Sequence, residues 1–497
     1  MPDPKPAPTL STGTAELDTI LRGGLPKDRL HLVEGAPGTG KTTFALRFLL
    51  EGAASGERCL YVTLSESAEE LNTSAAAHGW SLDGIDLFEL VPSEAEVESQ
   101  QTVLFPAEAE FGDTMRRIAE RIQETDPQRV VIDSLAELRL LAQEPLPYRR
   151  QLLALKRALQ GRRVTTLVLD DLTSSTGDGD LHSLVHGVLS LDQIERDYGA
   201  SRRRLRVAKM RGTNYQSGWH DFALTTGEVS VFPSLIAEDH KARIAGEPIR
   251  SGIAGLDSLL GGGLDRGTTT MLVGPSGMGK TSLALRYAMS AVGSGEYGAY
   301  FSFDEDFATL AARAEDLGMP MTQAVRDGRL GWHRASPTRL SPGDFMWRVR
   351  REVEERQARV VVIDSLNSYL AAMPEERSLV LQMHELLTYL NNQGVVTILI
   401  LAQIGVIGDL HNAVDLSFLS DSVVLLRFFE VAGELRKSIS VVKKRTGVHE
   451  LAIREFRMFP HGMQVGPPLA GLQGIMTGVP NHTGEGLING EGDVAAG

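Results

Sequence analysis

Residues 12–42 read TGTAELDTILRGGLPKDRLHLVEGAPGTGKT, and residues 251–281 read SGIAGLDSLLGGGLDRGTTTMLVGPSGMGKT. The two stretches align without a gap at a spacing of 239 residues. Two further landmarks recur in the same order. They are VVIDSL at 130–135 and 361–366, and RVAKMRG at 206–212, which parallels VVKKRTG at 441–447. This period is far too long for a solenoid, so the chain is predicted to contain two whole domains in tandem.

Strand and helix patterns alternate within each copy. In the first copy, the apolar runs RLHLVEG and RVVIDSL predict buried strands, whereas TTFALRFLLEGAASG and YRRQLLALKRALQGRR have helical periodicity. This alternation predicts an α/β fold in which each domain has a mostly parallel, twisted sheet flanked by helices. The segment 187–232 is rich in strand patterns and predicts antiparallel strands at the edge of that sheet.

Changes in composition predict where the domains begin and end. The first ten residues, MPDPKPAPTL, have no apolar core, so we expect a short disordered arm and no secretory signal. Apolar periodicity breaks within 233–249, and the chain is rich in Gly and Pro after about residue 462. The predicted division is an arm at 1–10, a first domain at 11–240, a linker at 241–248, a second domain at 249–462 and a tail at 463–497.

Composition limits the classes of protein that this chain can represent. Of its 497 residues, 42% are hydrophobic and 23% are charged, as in ordinary globular proteins, and no apolar run is long enough to predict a membrane span. Cys59 is the single cysteine, which excludes an internal disulfide and a cysteine-based zinc site and fits a reducing cytoplasm. The formal net charge of -14 argues against a nucleic-acid partner unless a local basic patch is present.

Each copy contains a glycine-rich loop between a predicted strand and a predicted helix. The loops read GAPGTGKT at 35–42 and GPSGMGKT at 274–281, and both satisfy the phosphate-loop pattern. Glycines let successive N–H groups face a polyphosphate, the lysine reaches the β- and γ-phosphates, and the threonine ligates Mg²⁺. The predicted nucleotide-binding residues are Gly35, Gly38, Thr39, Gly40, Lys41, Thr42 and Thr43, and then Gly274, Ser276, Gly277, Met278, Gly279, Lys280, Thr281 and Ser282.

A carboxylate stands at the end of the VVIDSL strand in each copy. Asp133 and Asp364 occupy the position from which a phosphate-loop protein holds Mg²⁺. The predicted metal ligands are therefore Thr42 with Asp133, and Thr281 with Asp364. The alternative is an aspartate that only caps the segment after the strand.

These features together resemble the KaiC family of the RecA superfamily. The resemblance rests on the tandem phosphate loops, the SGIxxLDxxLGGGL-type openings, the VVIDSL strands and a K-x-R element near the end of each copy, and it covers about residues 11–475. It implies two tandem RecA-like domains, a hexameric double ring with ATP bound between subunits, and slow ATP hydrolysis. It also implies Ser/Thr autokinase activity in the second domain, a role in clock-like or stress signalling, and partners such as KaiB-like proteins or histidine kinases.

The resemblance assigns a role to two pairs of basic residues. Lys209 and Arg211 correspond to the K-x-R pair of the first ring, and Lys443 and Arg445 correspond to that of the second. In the family these cations reach the γ-phosphate of ATP held by the neighbouring subunit, where positive charge stabilises phosphoryl transfer. The alternative is a basic strand that is simply solvated.

A water-activating carboxylate is expected at the end of the strand that follows the phosphate-loop helix. The family pattern has two adjacent glutamates there, whereas this chain has Ser65 and Glu66 in the first copy and Asp304 and Glu305 in the second. Because a serine cannot accept a proton as a carboxylate does, Glu66 is predicted to act in the first copy. Asp304 is predicted to act in the second copy, with Glu305 in support.

The phosphoacceptor region also departs from the family pattern. Alignment of the strand at 421–430 places the adjacent Ser-Thr pair of the family at Ser417 and Phe418. Ser417 is therefore the predicted phosphoacceptor, and a two-site phosphorylation cycle is not expected. The alternative is that Ser417 is an ordinary loop serine.

Two other functions stay open at this point. A RecA- or RadA-like DNA-repair ATPase shares the fold, and Arg202, Arg203, Arg204 and Arg206 could form a local patch for phosphate contacts. The other alternative is an assembly scaffold that holds ATP with little turnover, because Ser65 removes a carboxylate from the first copy.

Overall fold

The computed structural model describes most of the chain as two compact units, with the boundary between Ser234 and Leu235. The described residues are 8–90, 107–142, 145–171, 178–196, 199–240, 246–336, 338–371, 378–403, 417–475 and 481–482. Besides the gaps within the two domains, parts of the predicted arm, linker and tail lie outside the described residues. They are residues 1–7 of the arm, 241–245 of the linker, and 476–480 and 483–497 of the tail.

The described part of the first domain is built on a nine-stranded sheet with the order β11-β10-β9-β8-β3-β7-β6-β4-β5. The strands from β8 to β5 in this order run parallel, and β9, β10 and β11 extend one edge in antiparallel fashion. The strands of the domain are β1 (Thr9–Leu10), β2 (Leu25–Pro26), β3 (Leu30–Gly35), β4 (Cys59–Thr63), β5 (Ile85–Glu89), β6 (Arg129–Asp133), β7 (Thr165–Asp171), β8 (Gly187–Ile194), β9 (Arg202–Met210), β10 (His220–Thr225) and β11 (Glu228–Phe232).

The described part of the second domain repeats this topology with the order β14-β13-β15-β16-β12-β17-β18-β19-β20. The strands from β14 to β17 in this order are parallel, and β18, β19 and β20 are the antiparallel extension. The strands are β12 (Thr269–Gly274), β13 (Tyr297–Ser302), β14 (Leu330–Arg334), β15 (Ala358–Asp364), β16 (Val396–Ala402), β17 (Ser422–Val431), β18 (Glu434–Lys444), β19 (Arg454–Phe459), β20 (Gly462–Pro468), β21 (Leu472–Gln473) and β22 (Asn481–His482).

Helices connect the parallel strands in both domains. Those of the first domain are Ala15–Ile20, Lys41–Ala54, Ala68–Ala77, Ala107–Thr125, Leu135–Ala142, Pro145–Gly161 and Asp178–Leu184. Those of the second are Ala254–Leu259, Lys280–Gly293, Phe307–Asp316, Met321–Arg326, Pro342–Glu354, Leu366–Ala371 and Leu379–Asn392. Short 3₁₀ turns occur at Ala237–Asp239 and Ser417–Leu419.

The central strands are apolar on both faces because helices cover both sides of each sheet. Along β3, Leu32 packs into one core while Val33 packs into the other. Along β7, Val168 joins the first of these cores and Leu169 the second. Near-continuous apolar runs are typical of parallel strands that are buried on both faces. The predicted fold class, two tandem RecA-like α/β domains with antiparallel edge strands, is confirmed.

The domain borders differ in detail from the composition-based division. Leu235 and Ala237 are buried in a core of the second domain, and Ala237 N–H donates to Glu385 at 3.2 Å. Residues 235–240 therefore pack with the second domain. Composition predicts residues 463–468 as part of the tail, but they lie in β20 and pair with β19. Their Gly and Pro residues interrupt the usual strand pattern. Proline is tolerated there because β20 is an edge strand.

In the described residues no helix combines the length and the apolar character needed to cross a membrane.

Cys59 should be almost unreactive in the folded protein. Its side chain is 3% exposed, and burial raises the pKa of the thiol to about 11. Because the thiolate is the reactive form, a disulfide reagent at pH 8 should modify the native chain at least about 100-fold more slowly than the denatured chain. The release of the chromophore from such a reagent measures both rates. Equal rates would mean that the core around Cys59 is open in solution.

Candidate active sites

The first phosphate loop starts where β3 ends at Gly35 and stops where the next helix begins at Lys41. Gly40 has a φ of 101°, and a Cβ placed on it would lie 2.7 Å from Leu224 Cδ1. Gly38 has a φ of 81°, and nothing lies within 4 Å of the position that its Cβ would take. The loop therefore needs glycine for its backbone and leaves an open cradle of the kind that binds phosphate.

The second phosphate loop repeats this geometry. Gly277 and Gly279 have φ values of 80° and 94°, and the space around Gly277 is again open. The loop lines a cleft with a volume of about 460 Å³. Three carboxylates and three cations share that cleft: Asp304, Glu305 and Asp364 with Lys280, Arg313 and Lys437.

The loop lysine is buried in both domains and is held by main-chain carbonyls. Lys41 Nζ donates to Gly35 O at 2.8 Å and to Ala36 O at 3.0 Å. It also forms an ion pair with Asp171 Oδ1 at 2.6 Å. The lysine is thus fixed at the rim of the cradle, where a phosphate group would meet it.

Lys280 has the same two main-chain partners in the second domain. Its Nζ donates to Gly274 O and to Pro275 O, both at 2.7 Å. Burial lowers the pKa of Lys280 to about 8, while the charge of Asp364 acts in the opposite direction. A phosphate group in the loop would favour the charged form of this lysine.

A threonine and a tyrosine meet the strand-ending aspartate in each domain. In the first, Thr42 Oγ1 donates to Asp133 Oδ2 at 3.1 Å, and Tyr61 OH donates to the same oxygen at 2.6 Å. In the second domain the corresponding donors to Asp364 Oδ2 are Thr281 at 2.8 Å and Tyr300 at 2.7 Å.

Burial raises the pKa of both strand-ending aspartates. At Asp133 the hydrogen bonds from Tyr61 and Thr42 partly offset that effect. At Asp364 the nearby charges of Asp304 and Glu305 add to it. A divalent cation would favour the ionised carboxylate, so metal binding and ionisation would support one another.

The donor set at the two loops fits Mg²⁺ bound together with a nucleotide. Among the described residues, no group of three or more His, Cys, Asp or Glu side chains could hold a metal by itself. Mg²⁺ commonly uses one or two protein oxygens, substrate phosphates and water. A threonine hydroxyl beside a buried carboxylate at the mouth of a phosphate cradle meets that requirement in both domains.

In the first domain the predicted water-activating carboxylate lies close to the strand-ending aspartate Asp133. Ser65 is exposed, whereas Glu66 is half-buried. Among the described residues, Glu66 Oε2 is buried without a hydrogen-bond partner. Burial raises the pKa of Glu66, and the charges of Asp133 and Glu70 raise it further. Glu66 is therefore a carboxylate with a free acceptor oxygen and a strengthened tendency to take up a proton.

In the second domain the two candidate carboxylates have different surroundings. Asp304 accepts hydrogen bonds from Ser365 Oγ at 3.1 Å and from Ser368 Oγ at 2.6 Å. Glu305 is paired with Arg313 at 2.5 Å. Asp304 thus faces hydroxyl groups that can rearrange, while the charge of Glu305 is already matched by a guanidinium group.

The four predicted trans-acting cations lie at the ends of β9 and β18. Lys209 Nζ donates to His182 O and, at 3.1 Å, to Val185 O. The other three are held as follows: Arg211 on Ser183 O at 2.9 Å, Lys443 on Ser420 O at 2.6 Å, and Arg445 on Asp421 Oδ1 at 3.4 Å. In the described part of the chain, these bonds lead to the end of the helix Asp178–Leu184 and to the residues just before β17, and not to the phosphate loop of the same domain.

Half of the arginine cluster on β9 is paired with carboxylates. Arg202 pairs with buried Asp221 at 2.8 Å, and Arg204 pairs with Asp192 at 2.8 Å. The guanidinium groups of Arg204 and Arg206 also stack on Trp219. Two of the four arginines therefore already have carboxylate partners, which weakens the case for a DNA-contact patch.

Comparison with known proteins identifies the family. The family model described as "ATPase: KaiC" matches residues 10–236 and again residues 249–470. The chain belongs to the KaiC ATPase family. It is 26% identical over 488 residues to the circadian clock protein KaiC3 of Synechocystis sp., covering 96% of this chain and 95% of that protein. It is 28% identical over 477 residues to the circadian clock oscillator protein KaiC of Synechococcus elongatus, covering 94% and 90%.

Several contacts of these KaiC-family sites go beyond the residues found by motif. Tyr61 and Tyr300 stand 239 residues apart, so alignment of the two copies could have found them. Arg313, the partner of Glu305, belongs to a helix without a recognisable motif. Asp171, the partner of Lys41, has no acidic counterpart in the second copy, so the repeat gives no signal for it.

Ser417 begins the 3₁₀ turn Ser417–Leu419, immediately before β17. Its role as a phosphoacceptor stays a prediction.

Proposed function

We propose that this KaiC-family ATPase binds ATP with Mg²⁺ in both phosphate loops and hydrolyses it. The observation that carries the proposal is the arrangement found in both domains, in which a buried lysine on two loop carbonyls stands beside a threonine–aspartate–tyrosine cluster. When bound, Mg²⁺ would neutralise charge that develops on the β- and γ-phosphates. Thr42 with Asp133, and Thr281 with Asp364, would hold it.

Glu66 and Asp304 would orient the attacking water and accept its proton. Support for Glu66 comes from its free, buried Oε2 atom and its raised pKa. Asp304 is supported by its place beside Asp364 in the cleft and by the serine hydroxyls around it. Glu305, which is paired with Arg313, would contribute to the electrostatic field around the second site.

The active assembly would be a homo-oligomer, and we propose a hexameric double ring with ATP at the subunit interfaces. Lys209 with Arg211, and Lys443 with Arg445, would then act on nucleotide held by the neighbouring subunit. Carbonyl oxygens hold Lys209, Arg211 and Lys443 in the described part of the chain. Arg445 is 56% exposed, as a residue that reaches a neighbour must be.

We further propose that the second domain is a Ser/Thr autokinase with Ser417 as acceptor. The relatives named above are circadian clock proteins, which supports a role in clock-like or stress signalling. Partners would then be proteins of the KaiB-like or histidine-kinase type, and the reaction would take place in the cytoplasm.

Turnover with and without DNA tests this assignment against the recombination alternative. Free phosphate released from ATP by the purified full-length chain should be independent of added single- or double-stranded DNA. Strong stimulation by DNA would favour the RecA- or RadA-like alternative. Tight ATP binding with no release of phosphate would favour the scaffold.

Mixed assemblies should reveal whether Arg445 acts across the interface. In a Lys41→Ala background, Arg445→Ala should lower second-site turnover by about 100-fold or more, because a cation at the γ-phosphate is lost. Subunits that carry both Lys41→Ala and Lys280→Ala are also inactive, but they still offer Arg445 to a neighbour. Mixing the two proteins should therefore restore turnover that neither has alone. No recovery in assemblies shown to exchange subunits would contradict the cross-interface role.

A further inference from the structure

The lysine of the first phosphate loop has a partner that the lysine of the second loop lacks. An ammonium group carries three N–H donors. Lys41 places two of them on Gly35 O and Ala36 O, at 2.8 and 3.0 Å, and its Nζ forms an ion pair with Asp171 Oδ1 at 2.6 Å. The ammonium group of Lys41 is therefore already held by two carbonyls and a carboxylate before any phosphate arrives.

Lys280 keeps one donor in reserve. Its Nζ donates to Gly274 O and Pro275 O at 2.7 Å each, and no described residue takes its third donor. The lysine is nevertheless buried and held at the same place in the loop. Two carbonyls are thus enough to position a phosphate-loop lysine in this fold. Asp171 is therefore not needed to position Lys41.

Sheet register shows that Asp171 replaces a neutral residue at an equivalent place. Asp171 pairs with Gly35 across β7 and β3, and Ala402 pairs with Gly274 across β16 and β12. Both positions directly face the first glycine of a phosphate loop. The same backbone geometry is therefore built once with a carboxylate and once with a methyl group.

Further polar residues lie on the strand positions next to Asp171 and Gly35. Glu34 precedes Gly35 and accepts a hydrogen bond from Ser190 Oγ at 2.7 Å, and Asp170 pairs with Arg139 at 2.5 Å. Asp170 and Glu34 thus have their own partners, and Asp171, which follows Asp170 and so lies on the other face of the sheet, is the carboxylate that meets Lys41. The equivalents of Glu34, Ser190 and Asp170 by register are Val273, Leu425 and Leu401.

We propose that Asp171 lowers the affinity of the first site for nucleotide: it competes with nucleotide phosphates for the ammonium group of Lys41. This rests on the proposed function, which takes the loop as a nucleotide site. When Lys41 turns to a phosphate, Asp171 loses its ion pair and is left as a carboxylate opposite Gly35, beside a loop that would hold an anion. The first site therefore binds nucleotide more weakly, and releases it faster, than it would with a neutral residue at 171.

Asp171→Asn tests this competition because it removes the charge and keeps the shape. The full-length chain with Lys280→Met reports on the first site alone, and the probe is a fluorescent ADP analogue with Mg²⁺. Lys41 is 8% exposed and Asp171 31%, so the pair is partly screened and the expected gain is about tenfold in affinity. Most of that gain should appear as slower release. Asp171→Glu keeps the charge and should stay close to the parent.

The reverse substitution separates competition from a purely structural role. In a chain with Lys41→Met, which reports on the second site, Ala402→Asp should lower affinity for the same probe by about tenfold, because it gives Lys280 the third partner it lacks. If Asp171 mattered only for folding of the first domain, an aspartate at position 402 would not weaken nucleotide binding at the second site.

Unchanged or weaker binding in Asp171→Asn would overturn the proposal, since the carboxylate would then be neutral or helpful to the nucleotide. Unchanged binding in a folded Ala402→Asp chain would overturn it as well. These results differ from failure of the proposed function itself, in which neither parent chain, with Lys41 or Lys280 intact, would bind the probe at all.

Discussion

Lys280→Met is expected to lower the affinity of the second site for ATP by at least about 100-fold. The ammonium group of Lys280 is buried at the rim of the loop with one donor directed to no described partner. A charge-assisted hydrogen bond to phosphate in a partly buried site contributes roughly 2–5 kcal/mol, and methionine removes it while keeping the length of the side chain. Titration of a fluorescent ATP analogue into the full-length chain measures the change.

The first site supplies the matched control for that substitution. Lys41→Met should remove the other class of binding sites and leave the affinity of the Lys280 site unchanged. If the second domain is the kinase, protein-bound phosphate should disappear with Lys280→Met and persist with Lys41→Met. Label that persists when Lys280 is lost would refute the assignment of the kinase to the second domain.

Asp304→Asn is expected to slow second-site turnover by about 10²–10⁴-fold while ATP still binds. A positioned general base contributes an effect of this size, and asparagine keeps the shape of aspartate but cannot take up the proton. In the structure Asp304 shares the cleft with Lys280 but is bonded to Ser365 and Ser368. Single-turnover release of phosphate in a Lys41→Met chain isolates this step from binding.

Two neighbouring substitutions sharpen the interpretation of Asp304→Asn. Ser368→Ala removes one hydrogen bond to Asp304 and should cost far less than loss of the carboxylate, since the base itself stays. Glu305→Gln breaks the pair with Arg313 and should have an intermediate effect. If Glu305→Gln proved as damaging as Asp304→Asn, or if Asp304→Asn left turnover intact, Asp304 would not be the base.

The parts of the sites that sequence could predict are those encoded by contiguous residues. The phosphate loops carry their glycines, lysine and threonine within eight positions, and the strand-ending aspartates follow unbroken apolar runs. The duplication also allows each loop to be checked against the other. For these reasons the α/β fold and the family could be predicted, and both are confirmed.

The parts that sequence missed depend on lateral pairing between distant strands. Asp171 meets Lys41 because β7 lies beside β3 with Asp171 opposite Gly35, and nothing near residue 171 in the sequence specifies that register. The same holds for β20, whose glycines and prolines suggest a tail until its pairing with β19 is known. Contacts of this kind follow from the order of strands in the sheet, which single-sequence patterns do not determine.

Release of labelled phosphate shows whether the two phosphate loops hydrolyse ATP. The purified full-length chain is incubated with Mg²⁺ and ATP labelled at the γ-phosphate, and free phosphate and protein-bound label are followed together. We expect slow, steady release of free phosphate by the wild-type chain, and loss of that release when Lys41 and Lys280 are both replaced by methionine. ATP that stays intact in the wild-type chain, or release that survives the double substitution, would contradict that expectation.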